Sequence, residues 1–222
     1  MRRALLLALA TSLALPASAD DLLIALRSKV FDAPAMAFTT ELTRDGFAAT
    51  ARVDPSQPEG ERFVVTQPAR EDWPEKFAEF VETSDQNTEG KVWCSQFLER
   101  VPADAERASE TDDAVTFTFT PEAEEDADDT ERKLFRKLSG TLEVAPDTLI
   151  VQRYHLTLPE PAKPHFLAKV NEFELLAECT PAENGNSYLN RFEFHIQGSA
   201  MGQSFQQQET RQLSELAPIE AE

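Results

Sequence analysis

Residues 165–198, "HFLAKVNEFELLAECTPAENGNSYLNRFEFHIQG", decide the fold. Phe173, Leu175, Ala177 and Cys179 fall on alternate positions, and so do Phe192, Phe194 and Ile196. The other phase carries Glu172, Glu174, Glu178, Arg191, Glu193 and His195. Period-two alternation of this kind predicts two strands with one wet face and one packed face. Between them lies "PAENGNS", whose Asn184-Gly185 pair suits the positive φ angles of a hairpin tip.

Working outward, the same pattern recurs. "GTLEVAPD", "TLIVQRYHLTLP" and "QSFQQQETRQL" read as further strands, separated by Pro, Asn and Gly turns. "DAVTFTFTP" places Val115, Phe117 and Phe119 inward, with threonines alternating outward. Towards the N-terminus, Met36, Phe38 and Leu42 share one face, as do Phe47, Ala49, Ala51 and Val53. Asp45-Gly46 marks the turn between those two runs, and "ERFVVTQP" is a third strand. "GKVWCSQF" reads as a short strand, and "GSAMG" (198–202) as a bend joining two strands.

Three stretches have helical spacing instead. "DDLLIALRSKV" sets Leu22, Leu23, Leu26 and Val30 on one face, with acids at its N-terminal end and Pro34 closing it. In residues 71–82 Trp73, Phe77, Phe80 and Val81 form an apolar face with acidic residues opposite. "EAEEDADDTERKLFRKLSG" starts as an acidic run and becomes a helix with Leu134, Phe135 and Leu138 inward and Gly140 as terminator. The acidic run 122–131 lacks the spaced ligands and central glycine of a calcium loop, so a solvated surface is expected. Few helices thus face many strands. The expected fold is α+β: a curved antiparallel sheet, or half-barrel, of about nine to ten strands with short helices packed on its concave face.

The first nineteen residues form a separate signal. Arg2 and Arg3 precede an apolar run from Leu5 to Leu15, and "ASA" ends at Ala19. That is the three-part pattern of a cleavable secretory signal, and the run is shorter than the ~20 residues a spanning helix needs. Residues 20–222 are expected to be one mature domain with a short flexible C-terminal tail, located in a periplasm. In an oxidising compartment the two cysteines, Cys94 and Cys179, are expected to pair, with two buried free thiols as the alternative. A thiol enzyme would want a nearby base and a zinc site four ligands, and neither spacing is present around His155, His165 and His195.

Composition narrows the function. The chain carries 40 acidic and 21 basic residues, a formal charge of -19. Such a charge repels nucleic acid and argues against an anionic membrane surface as a partner. Seven glycines offer no phosphate-cradling loop, and "GSAMG" is not the nucleophile elbow G-x-S-x-G. No cofactor, metal or catalytic set is expected. Fifteen phenylalanines against two tryptophans and two tyrosines point to fully apolar environments. The rings of Phe77, Phe80, Phe117, Phe119, Phe173, Phe192 and Phe194 are therefore candidates to line an apolar cavity.

The order of signal peptide, N-terminal amphipathic helix and curved sheet plugged by helices resembles the LolA/LolB-like periplasmic carriers of lipoproteins. The segment from "LLIALRSKV" through "ERFVVTQP" resembles them most. The resemblance implies an acyl-chain-sized cavity between sheet and helices. The expected function is then a non-catalytic exported protein that holds an apolar ligand or lipoprotein acyl chain. A non-catalytic envelope module that uses protein contacts is the alternative. Neither reading calls for nucleic acid or stable membrane insertion.

Overall fold

The computed structural model describes residues 20–219. The expected signal peptide lies outside the described residues. The described chain opens with α1 (Asp21–Ser28), whose first amides, Leu22 and Leu23, donate to the Asp20 carboxylate. The helix ends at Ser28, so Val30 falls beyond it and is fully exposed rather than on the apolar face. β1 (Met36–Arg44) and β2 (Phe47–Val53) form a hairpin around Asp45 and Gly46, both at positive φ. β3 (Phe63–Gln67) pairs with β2, and α2 (Glu75–Asn87) follows.

The segment expected as a strand around Cys94 is instead a 3-10 helix, Cys94–Arg100. Val92, Trp93 and Cys94 are buried in succession, and a strand with one wet face cannot bury three neighbours. Next come β4 (Glu106–Glu110), β5 (Val115–Phe119) and α3 (Asp129–Phe135), capped by Asp128. β6 (Ser139–Ala145) contains Gly140, which therefore lies inside a strand and does not terminate the helix. β7 (Ile150–Thr157), β8 (Ala162–His165), β9 (Ala168–Pro181), β10 (Ser187–Ala200) and β11 (Gln203–Pro218) follow among the described residues. The "GSAMG" segment makes the β10–β11 turn, with Met201 and Gly202 at positive φ. Pairing with β1 carries β11 on to Pro218.

All eleven strands join one open, curved antiparallel sheet. Its order is β3-β2-β1-β11-β10-β9-β7-β6-β5-β4, with β8 paired to β9 beside β7. The first and last strands, β1 and β11, are neighbours inside the sheet, third and fourth from the β3 edge. The chain leaves one edge at β3 and re-enters at the opposite edge as β4. Between these strands α2 and the 3-10 helix cover one face. The β4 edge is entirely exposed and carries Glu106, Arg107 and Glu110, charges that discourage pairing with another chain.

Register shows which side chains share the covered face. Phe194 lies opposite Leu175 and Glu209, and Phe192 opposite Ala177 and Arg211. Tyr154 lies opposite Ala177 and Leu142, and Phe117 opposite Leu142. The core on this face is in separate pieces. The largest packs α1 and the 3-10 helix against β5–β7 and β9, with Leu26, Phe117, Leu142 and Tyr154 fully buried. A second packs α2 against β1–β3 through Phe77, Val81, Leu42 and Phe63. A third, smaller cluster joins Trp93 and Val92 to Met36 and Leu213. The Cys94–Cys179 disulfide ties the crossing segment to β9, and Leu189 donates its amide to Val92 at 2.7 Å.

Candidate functional site

A cleft of about 560 Å³ opens on the covered face, alongside the 3-10 helix and over β9–β11. Leu175, Leu189, Phe192 and Phe194 form its floor. Phe97 and Arg100 of the 3-10 helix stand on one side, and Gln207, Glu209 and Arg211 of β11 on the other. The strand alternation that made residues 165–198 legible puts Leu175, Phe192 and Phe194 inward, and a register shift between Leu189 and Arg191 brings Leu189 to the same side. The covering segments then stop short of meeting over them, which leaves the floor open.

The walls are chemically unlike the floor. Glu209 is only 5 % exposed and pairs with both Arg44 and Arg211. These two guanidiniums flank the Phe80 ring, at 4.3 and 5.5 Å from its centroid, a cation–π arrangement that holds them beside the apolar floor. On the opposite wall Arg100 pairs with Glu124 and lies 5.3 Å from the Phe135 ring. Its Nη1 is buried with no hydrogen-bond partner among the described residues. The hydroxyl of Tyr154 is likewise buried and unpartnered. That ring stacks on Phe97 at 4.8 Å. Burial pushes the Tyr154 hydroxyl well above the ordinary phenol range, partly countered by the Arg100 charge, so it stays a neutral donor.

The seven phenylalanines of the sequence reading separate into three environments. Phe192 and Phe194 line the cleft, and Phe173 meets Phe194 edge to face at 5.7 Å. Phe117 and Phe119 belong to the closed core, at 0 % and 8 % exposure. Phe77 is buried beneath α2 against Phe47, and Phe80 forms the bridge between Arg44 and Arg211. Sequence reasoning passed over Arg211, Glu209 and Arg100. The signal for two of them was present in "FQQQETRQL", where Gln207, Glu209 and Arg211 occupy the inward phase of a strand. Polar residues in that phase mark where the covering ends.

A larger depression, about 790 Å³, lies over β1, β2 and β11, with Glu41, Thr43, Thr50, Thr210 and Gln212 around it. These residues occupy the outward phase, so it is on the opposite, solvated face. Its walls are polar and offer an apolar molecule little to bury. The same face carries a ladder of polar pairs, the Arg153–Glu178 salt bridge at 2.9 Å and the hydrogen-bonded His155–Glu174 and His195–Glu172 pairs at 2.9 and 3.1 Å. Among the described residues no cluster of three metal-ligating side chains occurs, and no helix is long and apolar enough to cross a membrane. No family model, curated protein or solved structure matches the chain.

Proposed function

We propose that this protein is an exported, non-catalytic carrier that holds a single acyl chain with an acidic end, in the manner of the LolA/LolB-like carriers. The observation that carries the reading is the open, Phe-floored cleft between covering segments that are each packed on their own. Acyl chains need no hydrogen-bond partner, and each methylene that leaves water for such a floor contributes about 0.8 kcal/mol. The unpartnered Arg100 Nη1 and the flanking Arg211 supply donors for a terminal carboxylate. The disulfide fits an oxidising compartment.

A titration with a fluorescent fatty acid tests this. Saturable binding in the micromolar range is expected, and Phe194→Asp should abolish it while the circular dichroism spectrum is retained. Absence of saturable binding up to about 100 µM, equivalent to about 5.5 kcal/mol of affinity, overturns the reading. The envelope interaction module would then be favoured, because Phe77, Phe117 and Phe119 show most of the covered face to be closed.

A further inference from the structure

The β8–β9 and β10–β11 turns lie side by side at one end of the sheet. Met201 donates its amide to the Leu167 carbonyl at 2.8 Å, and Ala200 registers opposite Ala168. This end exposes four large apolar side chains: Phe166 at 84 %, Met201 at 80 %, Leu167 at 44 % and Phe205 at 37 %. Among the described residues the other exposed large apolar side chains, Ile24, Val30 and Val64, lie on three separate elements or loops. Turns are ordinarily built from Gly, Asn, Asp and Ser, so Phe166, Leu167 and Met201 are not there for turn geometry.

The charge of this end also departs from the rest. Segments 162–170 and 197–208 contain Lys163, His165 and Lys169 and no carboxylate, in a chain with 40 acidic residues. The nearest acid along the β9–β10 pair, Glu172, registers opposite Gln197. At about 3.3 Å per residue it lies roughly 13 Å from Met201, beyond the Debye length of about 8 Å at physiological salt. α3, packed beside β8, balances Asp129 and Glu131 with Arg132 and Lys133. The charge of Glu172 is therefore largely screened from Met201.

An apolar tip also leads back to the cleft. The Phe205 ring lies across Gly198, where a Cβ would come within 2.6 Å of it. Ile196, Phe194 and Phe192 continue the same phase of β10 from there to the cleft floor. We propose that this end docks on the surface of an anionic phospholipid bilayer, Phe166 and Met201 entering the headgroup region and Lys163 and Lys169 meeting the lipid phosphates. Transfer of an acyl chain along the strip rests on the carrier reading, whereas the docking itself does not.

Sedimentation with phosphatidylcholine vesicles, with and without phosphatidylglycerol, tests the docking, using the chain from Asp20 onward. Salt-sensitive binding to the anionic vesicles is expected. The double variant Phe166→Ser/Met201→Ser should weaken it by about ten- to a hundredfold. Lys163→Glu/Lys169→Glu should weaken it by about tenfold or more. Val64→Ser, an exposed apolar position elsewhere, should leave it unchanged. The tip variants should keep fatty-acid binding in solution. If vesicle binding holds while fatty-acid binding fails, the carrier reading falls and the docking stands. Docking is overturned if the native chain ignores both vesicle types, or if the tip variants bind as the native chain does. It is equally overturned if the tip captures an envelope protein and no lipid.

Discussion

Gly140 is small because an aromatic ring needs its place. It lies opposite Phe119 in the sheet, and a Cβ on it would fall 2.4 Å from that ring. The neighbours are Cε2, Cζ and Cδ2 along one edge of a ring packed at 8 % exposure, which has little room to swing aside. Gly140→Ala should therefore destabilise the protein by about 1–3 kcal/mol, the usual range for overpacking. Urea denaturation should show a lower midpoint with an unchanged slope. Phe119→Leu in the same chain should recover part of the loss, because the two side chains compete for one space. Additive effects of the two changes would reject this account. The sequence presents Gly140 just after a run of helical residues, which is why it reads as a terminator; only its partner across the sheet reveals its use.

At the scale of elements, α2 depends on a carboxylate that its helical pattern conceals. Phe77, Val81 and Asp85 are the buried residues of α2, spaced by four along one face. Asp85 accepts the amides of Gly60, Arg62 and Phe63 at 2.5, 2.7 and 2.9 Å, and so fixes the approach to β3. Burial alone would raise its pKa; the three amide bonds outweigh that, and the carboxyl is held below the usual range. A depressed folded value means that its stabilisation is present above the unfolded value of about 3.9 and fades as pH falls through the folded one. Asp85→Asn should cost about 1.5–3 kcal/mol at neutral pH. The deficit against the native chain should begin to shrink below about pH 4, where Asp85 protonates in the unfolded chain, and close further as pH falls through the lower folded value. A deficit that stayed constant down to pH 2 would contradict this role. Strands and hairpins were legible because their period is two and their tips carry Asp-Gly and Asn-Gly. The α2 face was legible through its aromatics, whereas Asp85 was hidden because acids on an amphipathic helix read as the wet side. The cleft was half legible: Phe192 and Phe194 show their phase, but where the covering stops depends on contacts far apart in sequence.

For the whole molecule, the sheet sets a problem that the disulfide answers. The chain must pass from the β3 edge to the β4 edge across the covered face, and it does so through α2 and the 3-10 helix. That crossing includes one wall of the cleft, whereas the floor comes from strands some eighty residues later. Cys94 begins the wall and Cys179 sits in β9, 85 residues away in sequence. In the chain-entropy picture a loop of that length corresponds to about 4–5 kcal/mol, an upper figure because it neglects strain. Cys94→Ala/Cys179→Ala should therefore lower the unfolding free energy by about 2–5 kcal/mol, read from urea denaturation. It should also weaken fatty-acid binding under conditions where the variant is still folded, because the wall carrying Phe97 and Arg100 loses its tether to the floor. The remaining anchors of that wall, the Leu189 to Val92 hydrogen bond and the Trp93–Tyr188 bridge, keep it near its place. The loss of binding should then be partial, and added ligand should restore part of the stability by mass action. A folded double variant that bound ligand as tightly as the native chain would show that the wall holds its position without the bridge.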